Sequence, residues 1–562
     1  MYLLLGAFYW RPVRVLAKAD ENAHLRYVYD VHQGIWVPRA APAEEGLWKI
    51  DERHQPPLYY WLAAWITQPT TVPDPTTWIE PNPFFLHRAP NGNTARALTT
   101  PQGKTFLFAV RAFSWLLGVL VLVGTYRAAR TWLPFPASMT AATTLALWPT
   151  FLFVQSAASN TALATVWNTL AWSELCLLWT RGVTQGRTLR LGIWLTLALY
   201  TRLDSLFLFP AVVLLGLREW RQHHPQWRLP LLAAVGSLLI TTPLFLRNVW
   251  WYGDPLTRNA LAPRPEVLPW RTLLTLETER ILKTLFISVG EGFALAPDGY
   301  YVPIGFVGVM AIMGWAHLWR QPGRGHVVGF LTLAYLPLVG ATLWATRQYY
   351  MDAPRYLLSL GTPALLLGVA GYATLWPRSW RPWALVGWLM IWFGINVATI
   401  SYLLWPLYVP SPAPITDTVK ARFENGILLR DSEITLTKSG IVVALTWEAT
   451  RPISENWAVF LHGYTPDGQL ATQEDTHPLY GAFPTSWWPP GFVWRDVYCL
   501  PWPPLGPTRL QVYVGLYRPD SQQRLAVYRP EGTPWPHNAV YLGSVQPART
   551  LASTFCHACS TC

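Results

Sequence analysis

A chain of 562 residues is too long for one ordinary core, so at least two structural units are expected. Only 13% of residues are charged and 51% are apolar, and 34 tryptophans lie mostly in or beside apolar stretches, where amphipathic rings suit the headgroup level of a bilayer. The net charge is +12, and the 43 basic residues, only six of them lysine, are spread as pairs and triplets between apolar runs; this excludes a nucleic-acid reading and favours a membrane one.

The chain opens on an apolar run, residues 1–10, half the length of a span and followed by Arg11, Arg14 and Lys18. It is either the end of a span that starts upstream or an amphipathic segment lying on the surface. Asp20 and Glu21, with His24, stand where this run gives way to polar chain. About thirty residues on, the rigid aromatic stretch His54-Gln55-Pro56-Pro57-Leu58-Tyr59-Tyr60 brings a second polar set to the same face. Residues 17–104 are read as a large first outer loop.

A span takes about 20 apolar residues. Such runs occur near 105–126, 134–154, 160–180, 229–248, 301–319, 326–346, 355–376 and 382–405. Two shorter runs, 189–200 and 205–217, flank Arg202 and Asp204. Arg181, Arg187 and Arg190 precede them and Arg218, Arg221 and Arg228 follow, so the positive-inside rule puts both flanks in the cytoplasm. Two short helices turning at Arg202 and Asp204 satisfy this, and one long helix does not. The same count assigns Arg127, Arg130, Arg320, Arg324, Arg378 and Arg381 to the cytoplasmic face and gives about 11 spans, the N-terminal run included. Asp20, Glu21, Asp30, Glu52, Asp204, Asp254, Glu291 and Asp352 then all fall in outer segments.

From about residue 415 the period changes to two, as in Ile441-Val442-Val443-Ala444-Leu445-Thr446-Trp447, with turn signals at Pro466-Asp467-Gly468 and Pro519-Asp520-Ser521. The expected architecture is a polytopic α-helical membrane domain, 1–408, a proline-rich linker, 409–420, an extracytoplasmic antiparallel β-sandwich, 421–546, and a tail, 547–562. Five cysteines give no disulfide framework. Cys556, His557, Cys559 and Cys562 in the tail have metal-like spacing but lack a second ligand pair, and are read as incidental thiols.

Taken in order, Asp20-Glu21 with His24, the stretch from Gly34 to Pro38, Gln55 to Tyr60, Arg111, Trp148-Pro149, Thr201-Arg202, Arg247-Asn248, Tyr252-Gly253-Asp254-Pro255-Leu256 and Pro354-Arg355-Tyr356-Leu357 form a pattern. Over roughly the first 400 residues it resembles the C-type (GT-C) glycosyltransferases. These are polytopic enzymes that take a sugar from a polyprenyl-phosphate carrier, among them protein O-mannosyltransferases and lipid A aminoarabinose transferases. No single piece is specific; the order and spacing together are.

The resemblance implies a catalytic carboxylate at Asp20, which takes the acceptor's proton as the glycosidic bond forms. Glu21 would orient Asp20 or the acceptor, and His24 would hold either. The plain alternative is an acid pair capping a helix that begins near Asn22. For the donor phosphate, Arg111, Arg202 and Arg355 offer forked guanidinium donors, and His54, Tyr350 and Tyr356 neutral ones. Each Arg could instead snorkel or pair, Arg202 with Asp204. No cofactor is assigned. Where related enzymes often carry an Asp at the outer start of the fourth span, this chain has Asn160 and Thr161, neutral oxygens that leave a divalent metal without support.

The implied function is transfer of a sugar from a polyprenyl-phosphate donor to a hydroxyl or amine of a lipid, glycan or protein acceptor. The implied location is the plasma (inner) membrane, with the catalytic loop and C-terminal domain outside. The competing classes are a transporter or lipid flippase, with Asp20, Arg202 and Asp352 along its path but no internal repeat, and a non-catalytic scaffold presenting the β-domain. That domain resembles an accessory β-domain through Asp475, Pro478, Gly481, Pro484-Thr485, Trp488, Pro490-Gly491, Asp496 and Arg524-Leu525. Its Trp457, Trp487, Trp488 and Trp494 either pack its core or stack on sugars.

Overall fold

Proline and glycine decide where the helices of this chain begin, break and touch. The computed structural model describes all but residues 16, 19, 41–49, 88–95, 259–262, 291–295, 322, 350–356, 359–360, 416–417, 438–439, 504–508 and 547–562, and the side chain at 102. A short helix α1 (Tyr2–Trp10) leads into a loop region holding α2 (Glu21–His32), α3 (Leu58–Thr67), α4 (Pro75–Trp78) and the hairpin of β1 (Ile79–Pro81) with β2 (Ala97–Thr99). There follow α5 (Pro101–Ala129), α6 (Phe135–Leu147), α7 (Pro149–Gln155), α8 (Thr161–Arg181), α9 (Gln185–Leu199), α10 (Phe209–Arg221) and α11 (Arg228–Tyr252). The helical region ends with α12 (Thr278–Phe286), α13 (Tyr301–Trp319), α14 (Gly325–Gln348), α15 (Thr362–Thr374) and α16 (Arg381–Ala398), the last running on in helical form to Tyr408.

By length and composition 5 helices among the described residues can cross a membrane: α5, α11, α13, α14 and α16. The number becomes 6 if α6 and α7 count together, against the 11 or so expected from apolar runs. The run 134–154 is not one straight span, because α6 and α7 meet at 64°. Pro149 cannot donate a backbone bond and drives Trp148 out of the helical region, to φ −79 and ψ 113. The carbonyl of Leu147 orphaned by the break accepts from Asn396 Nδ2 at 2.9 Å, and Trp148 Nε1 donates to the Leu285 carbonyl at 2.8 Å. Arg202 and Asp204 do mark a turn: α9 stops at Leu199, a 3₁₀ segment covers Leu203–Leu208, and α10 follows.

Helices α13 and α15 approach until a Cβ on Gly371 would lie 2.1 Å from the Ala311 carbonyl oxygen, and one on Gly314 1.8 Å from that of Gly371. Gly371→Val is therefore expected to cost about 1–3 kcal/mol of stability through overpacking. Thermal unfolding of the variant in detergent measures this, and an unchanged midpoint would mean the two backbones do not meet.

The C-terminal region contains β3 (Ser411–Pro412), β4 (Ala421–Phe423), β5 (Ile427–Leu436), β6 (Gly440–Ala449), β7 (Ala458–Tyr464), β8 (Leu470–Thr476), β9 (Val493–Pro501), β10 (Leu510–Tyr517), β11 (Val527–Tyr528) and β12 (Val540–Val545). One antiparallel sheet has the order β11-β4-β5-β6-β9-β3 and the other β12-β10-β7-β8; side chains of both, Trp447, Trp494, Leu461 and Val512 among them, share a single buried core. The expected linker contributes the edge strand β3, where Pro412 costs the ladder least. Trp457, Trp488 and Trp494 are buried and pack the core, whereas Trp487 is 43% exposed.

This region docks on the first loop. Arg14 donates to the Ala482 carbonyl and lies over the Trp487 ring, Asn82 Nδ2 donates to the Gly481 carbonyl at 2.9 Å, and His87 pairs with Glu474 at 2.5 Å. Leu479, Tyr480 and Gly481 all take left-handed backbone, and a Cβ on Gly481 would meet the Phe84 carbonyl oxygen at 2.4 Å. Asp496 pins this bend: its Oδ2 accepts from Leu479 N at 2.9 Å and from the Tyr498 hydroxyl at 2.5 Å, and burial pushes its carboxyl up to about 6.

Candidate active site

The loop between α1 and α2 is held from inside. Glu21 and Arg111, both fully buried, form an ion pair in which Nε donates to Oε1 at 2.9 Å and Nη2 to Oε2 at 2.5 Å. Arg111 Nη1 donates to the carbonyls of Trp10 at 3.0 Å and Val13 at 2.7 Å, and Nη2 to that of Arg14 at 3.1 Å. All five guanidinium N–H groups are thereby used. Glu21 Oε1 also accepts from Ala158 N at 3.0 Å. An arginine that meets a carboxylate and three chain carbonyls in an apolar interior has nothing left for a phosphate, so Arg111 braces the loop from within. Glu21 faces the same interior rather than an acceptor. Beside them Lys18, also buried, donates to the Phe153 carbonyl at 2.9 Å and Ser156 Oγ at 2.6 Å. Burial and then the Arg111 charge push its ammonium well below the usual lysine range, while Glu21 pulls the other way.

Asp20 is the residue this brace presents. It holds left-handed backbone, φ 61 and ψ 14, at the N-cap position of α2, but its side chain makes no capping bond. A conformation that costs an L-residue free energy is kept here without the usual return of a cap. Four residues on, His24 Nδ1 meets the Tyr60 hydroxyl at 2.8 Å, and Tyr60 stacks on Tyr27 with ring centroids 3.7 Å apart.

A polar chain joins the start of α8 to the turn between α9 and α10. Arg202 Nη1 donates to Asn160 Oδ1 at 3.3 Å and Thr161 Oγ1 at 2.6 Å, and Nε to Asp204 Oδ1 at 3.2 Å. Pairing with Asp204 is thus present, together with a second anchorage on α8. Asn160 Nδ2 reaches Gln55 Oε1 at 3.4 Å, which links α8 to the His54–Tyr60 stretch. The neutral oxygens of Asn160 and Thr161 both accept from a guanidinium, a fixed positive charge. Among the described residues no three His, Cys, Asp or Glu side chains converge as a metal site.

His54 Nδ1 lies 2.9 Å from the Asp51 carbonyl, to which it must donate, so its Nε2 accepts from Gln55 Nε2 at 3.1 Å. This tautomer leaves His54 no second N–H and makes it a support for the loop. Arg247, part of the recurring pattern but not expected at the site, donates through Nη2 to the His54 carbonyl and to Asn248 Oδ1, both at 2.7 Å. Its guanidinium is buried against the Tyr27 hydroxyl, and Nη1 makes no well-formed hydrogen bond among the described residues. Tyr350, Arg355 and Tyr356, and Asp352 with them, lie outside the described residues.

Below Asn160 and Thr161 the surroundings turn apolar. Thr165 and Thr169, about 6 and 12 Å deeper than Thr161 along α8, line a recess with Trp148, Phe151, Leu285, Tyr335, Leu358 and Leu365.

No family model matches the chain, and no curated protein matches it. Among solved structures it is similar to ArnT from Cupriavidus metallidurans. The apo form gives a TM-score of 0.44 and 14% identity over 72% of this chain and 63% of that one; the form bound to undecaprenyl phosphate gives 0.45 and 13% over 72% and 64%. It is also similar to the oligosaccharyltransferase AglB from Archaeoglobus fulgidus in complex with an inhibitory peptide and a dolichol-phosphate, at 0.39 and 12% over 71% and 55%. These neighbours are C-type glycosyltransferases. The chain spans less than two thirds of the length of each.

Two residues at this centre carry no signal of their own in the sequence. Lys18 reads as one more basic flank of an apolar run, and Arg247 as a charge near a helix end; only the pairing with Asn248 ahead of Tyr252-Gly253-Asp254-Pro255-Leu256 could have singled Arg247 out.

Proposed function

We propose that this chain is a multi-pass membrane glycosyltransferase that moves a sugar from a polyprenyl-phosphate carrier to a hydroxyl or amine of a lipid, glycan or protein acceptor. The first loop and the C-terminal sheets would stand on the outer face. The observation that carries this reading is Arg202, fixed on Asn160 and Thr161 one helical turn before Thr165, which lines an apolar recess. A basic end set over apolar depth suits an amphiphile whose charged head stays near water while its hydrocarbon goes inward. Arg202 is the phosphate anchor in this scheme and Arg247 the second basic group, joined by Arg355 and Tyr356 from the recurring pattern and by Tyr350 as a neutral donor.

In the reaction the acceptor oxygen or nitrogen bonds to the anomeric carbon as the carbon–oxygen bond to phosphate breaks. The acceptor proton passes to Asp20, and the lipid phosphate leaves carrying the charge that Arg202 faces. Glu21, His24, His54 and Arg111 position the loop rather than touch the reacting atoms.

The test is to incubate the purified protein with a panel of radiolabelled polyprenyl-phosphate sugars and follow loss of label from the lipid. Turnover of at least one donor is expected, with Arg202→Gln lowering kcat/KM by about 10- to 150-fold, the worth of a charge-assisted hydrogen bond, measured on the protein that stays folded. No turnover with any donor in the panel would overturn the assignment.

A further inference from the structure

At the end of the helical region away from Arg202, a cavity of about 150 Å³ opens between the α5–α6 turn and the ends of α13, α14, α15 and α16. Arg324, Arg378 and Arg381 line it with Trp132, and its other walls are aliphatic side chains, prolines and Thr374, with no carboxylate. Some basic residues of this end are neutralised, Arg127 and Arg190 by the buried Glu174 and Arg218 by the buried Glu219, whereas others, such as Arg130, bond only chain carbonyls among the described residues. Among the described residues Arg324, Arg378 and Arg381 form no ion pair, and only Arg381 is engaged by a side-chain bond, from Nε to the Trp376 carbonyl at 3.1 Å. The first turns of α6, α14 and α16 meet at the same place, and none has a side-chain cap, so three positive helix ends add to the three guanidinium groups. Trp380 and Trp383, 61% and 73% exposed, stand beside it as interfacial tryptophans do.

We propose that this cavity holds the phosphate of an anionic membrane phospholipid. The volume exceeds the share of a few liquid waters, about 30 Å³ each, and falls short of a typical pocket for a whole drug-sized ligand. It fits a headgroup phosphate whose acyl chains run outward along α6 and α16. Three unpaired guanidinium groups at a membrane surface, with no carboxylate to discharge them, are balanced by a lipid that carries net charge. The interfacial tryptophans favour that source over phosphate from solution. The proposal does not depend on the glycosyltransferase reading, since α6 and α16 separate the cavity from Arg202 by most of a helix length.

The experiment titrates tail-labelled phosphatidylglycerol and phosphatidylcholine into the full-length protein in neutral detergent. With each basic group near a membrane surface worth about a factor of five, a preference of about 100-fold for phosphatidylglycerol is expected. Arg378→Gln with Arg381→Gln should remove most of that preference at an unchanged unfolding midpoint, and Arg378→Lys with Arg381→Lys should retain part of it. Equal binding of the two lipids, or a preference unaltered in the double glutamine variant, overturns the proposal. Inorganic phosphate that competes as well as the lipid, mole for mole, also overturns it and makes the cavity a free-anion site. Should the glutamine variant unfold, the contrast between lipids on the unaltered protein and the lysine variant decides.

Discussion

Asp20→Asn is expected to lower sugar transfer by about 100- to 10,000-fold, the usual contribution of a positioned general base, while expression, membrane insertion and unfolding midpoint stay as they were. The substitution is nearly isosteric, and the Asp20 side chain caps no helix, so the α2 start loses no hydrogen bond of that kind. Asparagine also tolerates left-handed backbone as well as aspartate does, which keeps the loop in place. Loss of activity with an intact fold therefore isolates the carboxylate's proton-accepting role. Donor KM should change little, because the base acts on the acceptor. A variant that keeps near-normal kcat would remove Asp20 from the mechanism and return it to the status of a strained turn residue.

Arg111→Met is expected to be the most damaging single change in the helical region, costing about 3–5 kcal/mol. It leaves Glu21 as a buried carboxylate whose remaining hydrogen-bond partner is Ala158 N, and orphans the carbonyls of Trp10, Val13 and Arg14 together. Glu21→Gln removes charge but keeps two acceptor or donor sites, so it should cost less. The double variant Glu21→Leu with Arg111→Met should recover part of the loss, because an apolar pair no longer carries the desolvation penalty of an isolated charge. Chemical denaturation of the three proteins in detergent checks the order. If Arg111→Met unfolds like the parent but loses activity, the residue belongs to the phosphate site after all.

The helices were legible where apolar length alone determines them, as along α5, α11, α13, α14 and α16. The strands β6 and β7 were legible from period-two alternation, and Gly468 sits with positive φ at the turn that Pro466-Asp467-Gly468 announced. The break at Trp148 is not legible in hydropathy, although Pro149 supplies its cause, because hydropathy sums over a window and is blind to one missing N–H. The site was harder for a different reason. Arg111 and Glu21 are 90 residues apart and Arg202 and Asn160 42 apart, on separate elements, so nothing in local spacing says which carboxylate or amide each guanidinium will meet. Composition announces that basic groups stand at helix ends; helix packing decides which become braces and which remain near a cavity. The left-handed backbone of Asp20 is likewise a product of the braced loop and leaves no mark on the residue type.

The contacts of Arg14, Asn82 and His87 with the C-terminal sheets have a temporal consequence. Their partners lie 468, 399 and 387 residues further along the chain. At ribosomal rates of about 5–20 residues per second, the first loop waits about 20 to 90 s for them. During that interval the helices are already being inserted, and the loop that carries Asp20 is held by its internal brace alone. A message truncated after codon 408 would leave that interval without an end, so the early brace and the late clamp form two successive stages in the maturation of one loop.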